Sequence, residues 1–216
     1  FAYFREKNFT KAWKHFDGRL QEDSFIYRNN SYNLIKDKLL KQKQIDPRKQ
    51  LLIIREQGVG DELLYGTMYK DVLENFKNVY IEADERLIDL FVCSFGNSYL
   101  KNFKKFGFFS KNMEKMKNID QVLYAGSLGY YFRNQIKDFP NNGYVKIDQI
   151  LIDRTKKSLS SFKKKFKVGI SWKSFNNKYA EQKSLSLDNL LYLFRFSDVD
   201  FFNLQYGDVL KEVEEF

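Results

Sequence analysis

Leu51-Leu52-Ile53-Ile54-Arg55-Glu56-Gln57-Gly58-Val59-Gly60-Asp61 decides the fold. Its continuous apolar opening, with no polar residue alternating, predicts a short strand buried on both faces, as in a parallel sheet. The Gln57-Gly58-Val59-Gly60-Asp61 turn follows directly. Leu63, Leu64, Met68, Val72, Leu73 and Phe76 then recur at helical spacing, and Val79-Tyr80-Ile81 supplies a second strand. That order is one β-α-β unit. Further on come an apolar helix around Leu87 to Val92, a strand at Gln121 to Tyr124, and a turn-rich stretch through Asn141-Asn142-Gly143 to Tyr144-Val145-Lys146-Ile147. Strands alternating with helices imply the α/β class, with a Rossmann-type parallel sheet.

On the N-terminal side, Phe1 to Leu20 places Tyr3, Phe4, Phe9, Ala12, Trp13, Phe16 and Leu20 at helical spacings, with Asn8-Phe9-Thr10 breaking the run into two short helices. A lone helical pair cannot bury that many aromatics, so the expectation is a helical-repeat remnant whose apolar face packs on a preceding neighbour. A polar connector reaches Gln50, with one helical piece near Tyr32 to Lys43 and a turn at Asp46-Pro47. On the C-terminal side a second α/β lobe begins. Ser158 to Lys167 reads as a basic helix, Val168 to Trp172 as a strand, Leu185 to Phe196 as a helix, and Asp200 to Gln205 as another strand. The expected division is 1–50 repeat remnant and connector, 51–157 first lobe, and 158–216 the start of a second lobe. The chain opens at Phe1 inside an amphipathic pattern and stops soon after a strand-like run, which points to a piece of a longer protein.

Composition removes several classes of chemistry. One Cys among 216 residues excludes an internal disulfide or a cysteine metal cluster, and a single His removes most zinc sites and Ser-His-Asp arrangements. Lys or Asp interrupts every hydrophobic stretch, so no run approaches the roughly 20 residues of a membrane helix. The formal charge of +9 would suit a polyanion if the cations were gathered on one face. They are spread along a chain rich in Lys, Asn, Phe, Tyr and Ile, which adenine- and thymine-rich codon usage explains, and no nucleic-acid motif accompanies them. Chemistry is left to carboxylates, amides, Lys or Arg.

The Gln57 to Asp61 turn sits between a buried strand and a helix, where glycines permit a sharp bend and close approach of a ligand. It is not a dinucleotide fingerprint, since Leu63 stands where the third glycine would fall, and no Gly-Lys-Ser/Thr follows to make a Walker loop. Asp61 has two readings: a helix cap, or a general base for an acceptor hydroxyl. His15 reads as a solvated helix residue, Trp172 and Tyr206 as core or rim aromatics, and Cys93 as a small apolar residue on a buried helix face.

Taken together, Leu52 to Asp61, Ser127-Leu128, Val168-Gly169-Ile170-Ser171-Trp172, Lys183-Ser184-Leu185-Ser186-Leu187 and Asn203-Leu204-Gln205-Tyr206-Gly207-Asp208 resemble the successive landmarks of bacterial tetratricopeptide-repeat glycosyltransferases. These are relatives of heptosyltransferases and, more distantly, of O-linked N-acetylglucosamine transferases. Asn8 to Trp13, with Phe16 and Arg19, resembles the second half of a tetratricopeptide repeat. The resemblance implies a GT-B architecture of two Rossmann-like lobes. It also implies inverting transfer of a sugar from a nucleotide-sugar donor to a hydroxyl acceptor, either a protein or a glycan such as lipopolysaccharide, in the cytoplasm and without a metal or other cofactor. Asp61 would be the catalytic base. Gln57, Gly58 and Gly60 would line the cleft, and Ser171, Lys173, Ser174 and Lys183 would approach the donor's phosphates. Many repeat-containing members carry Arg-Ser where this chain has Lys183-Ser184, and a proline where it has Gly129. The contrasting expectation is a non-catalytic interaction protein built on a degenerate transferase scaffold. The 216 residues by themselves are expected to be inactive, because the nucleobase and ribose site would lie beyond Phe216.

Overall fold

A computed structural model describes residues 2–21, 35–42, 44–175 and 180–216. It divides into two compact units, Phe1–Asp148 and Gln149–Phe216. Of the helical piece expected near Tyr32 to Lys43, residues 32–34 and 43 lie outside the described residues; inside them the expectation is corrected to a single 3₁₀ turn, Lys36–Lys38.

The first unit holds a four-stranded, wholly parallel sheet in the order β3-β2-β1-β4, made of β1 (Leu51–Ile54), β2 (Val79–Ala83), β3 (Phe103–Lys105) and β4 (Gln121–Tyr124). The apolar run at β1 is central, and every one of its residues is buried. Its alternation still matters, because odd and even residues feed different cores. Leu51 and Ile53 meet Ile81, Leu123, Tyr69 and Phe91 on one face, while Leu52 and Ile54 meet Val122, Tyr124, Phe109 and Ile119 on the other. The helix expected after β1 is two helices, α3 (Val59–Gly66) and α4 (Tyr69–Asn75), with Thr67 capping the first. Leu64 consequently falls on the outside, 63% exposed, rather than on the core face its spacing suggested. Strand β3 had no sequence signal beyond Phe103, its one buried residue.

Helix α5 (Glu85–Phe95) covers the Apolar 87–92 run, and Phe91 and Phe95 stack with Phe103 and Tyr144. On the other face, Glu82 of β2 is buried and its Oε1 accepts the Phe109 N–H at 3.2 Å. Burial outweighs these N–H contacts and pushes its carboxyl up to about 7. A carboxyl whose folded pKa is raised contributes stability that is complete below the unfolded value near 4.5 and is lost as pH rises through about 7. Glu82→Gln, whose amide oxygen still accepts the Phe109 N–H, is expected to flatten stability between those two pH values. Its unfolding free energy at pH 8 should exceed that of the wild type, and denaturant titrations across the range measure both.

The N-terminal helices are α1 (Ala2–Arg5) and α2 (Phe9–Phe16), separated by Asn8, whose side chain caps α2 through the Lys11 N–H. Their apolar face packs on the sheet unit itself. Trp13 Nε1 donates to Arg133 O at 2.6 Å, and Phe9 meets Phe139 at 4.7 Å between ring centroids. Gly129, the first residue of α8 (Gly129–Phe132), makes this seat possible, since a Cβ there would stand 2.4 Å from the Trp13 indole. Helices α6 (Phe108–Lys111) and α7 (Met113–Lys117) lie between β3 and β4.

The second unit pairs β5 (Phe166–Ile170) with β6 (Val199–Asn203) in parallel, over a small core of Trp172, Leu187 and Val209. The basic helix expected over Ser158 to Lys167 is corrected: helix α9 spans Gln149–Leu159, and Phe166 begins a strand. Phe166, Val168 and Ile170 alternate with Lys167 and Gly169, a strand period that the lysine run obscures. The helix expected over Leu185 to Phe196 is also corrected to two 3₁₀ turns, Leu187–Leu190 and Leu193–Arg195. There the Asn189 Oδ1 accepts both the N–H and the hydroxyl of Ser186, a local alternative to helical bonding. Helix α10 (Leu210–Glu215) closes the unit.

Candidate functional site

In open parallel sheets the strand order reverses at one point, and a crevice opens there beyond the carboxyl ends of the strands. Here the reversal falls between β1 and β4. Successive residues leaving β1 point to opposite sides, so Arg55 and Glu56 enter two different networks.

Glu56 turns toward β4 and is buried. Arg19, just beyond α2, clasps it with Nε to Oε2 at 2.8 Å and Nη2 to Oε1 at 2.7 Å. The rest of the guanidinium is equally committed: Nη1 donates to Phe16 O at 3.1 Å and Asp17 Oδ1 at 2.9 Å, and Nη2 donates to Ser127 Oγ at 3.1 Å. The Ser127 hydroxyl donates to Asp17 at 2.7 Å, and the Gly126 N–H donates to Glu56. Burial opposes the charge on Arg19, but the bonds and charge of Glu56 and Asp17 outweigh it and raise the guanidinium's pKa. Arg19 therefore joins the helical segment to the ends of β1 and β4, and brings the separate sequence landmarks at Glu56 and Ser127 together.

Arg55 turns the other way. Its Nε lies 2.6 Å from the fully buried Glu62 and its Nη1 bonds Asp84 at 3.0 Å, while its Nη2 donates to Gln57 O at 3.1 Å. Burial raises the Glu62 carboxyl above its ordinary value, and the Asp84 N–H and the Arg55 charge only partly offset this.

Between these anchors lies the glycine turn. Gln57, not a glycine, takes the left-handed conformation, with φ of 63°. Gly58 is extended and caps α3, and a Cβ on Gly60 would meet nothing within 4 Å. The expectation that both glycines serve the bend is thus corrected: the chain itself needs neither for clearance. Asp61 is the third residue of α3, and its Oδ2 accepts the Gly58 N–H at 3.1 Å. This is half of a capping box, since glycine has no side chain to return the bond.

Asp61 and Gln57 also line a cavity of about 610 Å³, within the usual range for small-molecule sites. One wall is aromatic and comes from the helical pair: Phe4, Phe9, Trp13 and Phe16. The opposite wall is α3 and the residues after it, with Leu64, Tyr65, Thr67 and Met68, and Phe139 and Pro140 close the end. Burial pushes the Tyr65 phenol up to about 12, so its hydroxyl stays protonated at neutral pH. Arg133 also lines the cavity, but its Nη1 donates to Phe132 O and its Nη2 to Thr67 O and Asp71, the latter two at 2.7 Å.

In the second unit Gln205 organises the loop leaving β5. Its Oε1 accepts the Ser171 hydroxyl at 3.1 Å and the N–H groups of Trp172 at 2.8 Å and Lys173 at 2.7 Å, and its Nε2 donates to Lys173 O at 3.1 Å. The Lys173 ammonium is ion-paired with Glu212 of α10. Ser174 N–H donates to Ser184 Oγ at 3.0 Å, which places the loop of Ser171, Lys173 and Ser174 beside the turn that ends at the exposed Lys183. Trp172 is core, whereas Tyr206 is exposed against Phe175. Arg19, Glu56, Tyr65, Arg133 and Gln205 carry the geometry of the two sites; Arg19, Glu56 and Gln205 stand in the landmark stretches without a role having been read for them, and Tyr65 and Arg133 stand in none. His15 is exposed and stacked on Tyr3, away from the cavity-lining residues.

No protein-family model matches the chain, and no solved structure matches it. A curated protein of Caulobacter vibrioides, Protein FlbA, is 26% identical over 178 residues, covering 76% of this chain. The match spans 30% of that protein's own length. Among the described residues, no helix is long and apolar enough to cross a membrane.

Proposed function

We propose that the chain forms part of an inverting GT-B glycosyltransferase of the tetratricopeptide-repeat type, acting in the cytoplasm. The first unit would bind a hydroxyl acceptor and the second a nucleotide sugar. One observation carries the reading: the Asp61 carboxylate, beyond the carboxyl end of the first strand of a parallel sheet, lines an open, aromatic-walled cavity. Asp61 would take the proton of the acceptor hydroxyl as that oxygen attacks the anomeric carbon, while the bond to the nucleoside diphosphate breaks and its electron pair leaves with the phosphate. One Oδ2 bond leaves the carboxylate further lone pairs for this task. Lys183, on the turn bonded to the Ser174 loop, would offset the charge of the departing diphosphate, a role that needs no metal. The acceptor is a protein or a glycan.

The bond from Gly58 to Asp61 favours the second reading, a non-catalytic interaction protein in which Asp61 only caps α3. The full-length protein, given UDP-, GDP- and ADP-sugars in the presence of EDTA, is expected to release nucleoside diphosphate and yield product of inverted anomeric configuration. Retained configuration, or release only with an added divalent cation, contradicts the mechanism. No release from any donor favours the second reading.

A further inference from the structure

The hydrogen-bonding groups left open in the cavity define its occupant, resting on the reading above that it is the acceptor site. Asp61 and Tyr65 stand four residues apart on α3, one turn along the same face, and both line the recess. The Asp61 carboxylate accepts hydrogen bonds and gives none. Tyr65 is only 5% exposed, and its hydroxyl, which can both donate and accept, makes no hydrogen bond to any described residue. Arg133 is buried in the same lining, and its Nε–H has no partner among the described residues. A guanidinium grips a carboxylate or phosphate through two N–H groups at once, Nε with Nη2 or Nη1 with Nη2. Both N–H groups of Arg133 Nη2 are already given to Thr67 O and Asp71, so Nε is left to hold a single oxygen. Polar groups this buried ordinarily have partners, and an occupant can supply the missing ones.

We infer that Tyr65 is an acceptor-binding residue and that the cavity takes a sugar ring. One hydroxyl of the ring donates to Asp61, a second bonds the Tyr65 hydroxyl, another ring oxygen accepts from Arg133 Nε, and an apolar face of the ring lies on Trp13. The acceptor is then a glycan. A serine, threonine or tyrosine side chain brings a single hydroxyl, which satisfies Asp61 and leaves Tyr65 and Arg133 unpaired. A sugar carries hydroxyls on adjacent carbons and reaches all three groups from one ring. Its C–H face also suits the wall of Phe4, Phe9, Trp13 and Phe16.

Isothermal titration of the chain separates the two kinds of acceptor. The probes are the methyl glycosides of glucose, galactose, mannose and N-acetylglucosamine, set against N-acetylserinamide, N-acetylthreoninamide and N-acetyltyrosinamide. At least one glycoside should bind, at least about tenfold more tightly than any of the amides, near 1.4 kcal/mol. Tyr65→Phe keeps the ring and removes only the hydroxyl. Because that hydroxyl bonds no described residue, the variant's unfolding midpoint should match the wild type, whereas its affinity for the bound glycoside should fall about tenfold. Monodeoxy forms of that glycoside complete the cycle: one of them should bind the wild type about tenfold more weakly and lose nothing further in Tyr65→Phe. Binding of no glycoside, tighter binding of an amide, or unchanged glycoside affinity in Tyr65→Phe overturns the inference. So does a Tyr65→Phe protein that loses affinity only along with its folding stability, since the hydroxyl then serves the fold. Enzymatic transfer to a protein hydroxyl, with no glycoside bound, would remove this inference and leave the transferase reading. Tyr65-dependent glycoside binding with no transfer from any donor would do the reverse.

Discussion

Arg19→Ala should lower the unfolding free energy of the first unit by about 3–5 kcal/mol, the range for removing one partner of a buried ion pair. Every guanidinium N–H has a partner, and the Glu56 side chain is only 1% exposed, so alanine leaves a buried carboxylate facing no cation. The same change unfastens the helical pair, because Arg19 is its bond to the ends of β1 and β4. Trp13 emission should shift to the red before the main transition, as the indole leaves Gly129 and Arg133. The double variant Arg19→Met, Glu56→Leu removes both charges. It should be less destabilised than the sum of its single changes by about 2 kcal/mol, the coupling expected of contacting groups. A loss below about 1 kcal/mol for Arg19→Ala would mean that the pair behaves as if solvent-exposed.

Gly126→Ala is expected to cost about 3 kcal/mol, at the upper end for overpacking. Its Cβ would stand 2.4 Å from Glu56 Oε1, 2.9 Å from Arg19 Nη2 and 3.0 Å from Tyr65. The end of a glutamate side chain would ordinarily swing aside at little cost. Here Arg19 grips both carboxylate oxygens and Gly126 itself donates to one of them, so the added methyl must break a charged hydrogen bond or push the backbone away. Gly60→Ala is the matched control, because its Cβ meets nothing and alanine suits a helix interior. It should be neutral or stabilising by up to about 1 kcal/mol. Denaturant unfolding of both variants reads the contrast, and equal effects would show that the crowding at Gly126 is relieved by ordinary side-chain motion.

Parts of the fold that rest on local pattern were legible. Four adjacent apolar residues marked β1, helical spacing marked the core of α5, and Asn8 marked the break between α1 and α2. Patterns failed where tertiary context overrode them. Strand β3 offers a single buried residue, and the lysines around Phe166 mask its alternation. The apolar face of the helical pair was expected against an earlier repeat, and it lies on α8 because Gly129 leaves room for an indole. Asp61 was readable as a residue of the turn that follows the first strand. The groups that frame it were not, because Arg19 reaches partners 37 and 108 residues away and no local pattern records such pairings. The left-handed Gln57 beside two glycines inverts the usual expectation for a bend. Its backbone is held by Arg55, and the strain falls on the residue next to the cavity.

Asp61 is both a cap and a wall of the cavity, and substitution can separate the two roles. Asparagine keeps an oxygen for the Gly58 N–H but cannot take a proton, so Asp61→Asn retains the cap and removes the base. In the full-length protein, sugar transfer by Asp61→Asn should fall at least about a hundredfold, the lower bound for a general base, with thermal stability close to wild type. Transfer at the wild-type rate by a folded Asp61→Asn protein would leave the carboxylate a helix cap and contradict the account.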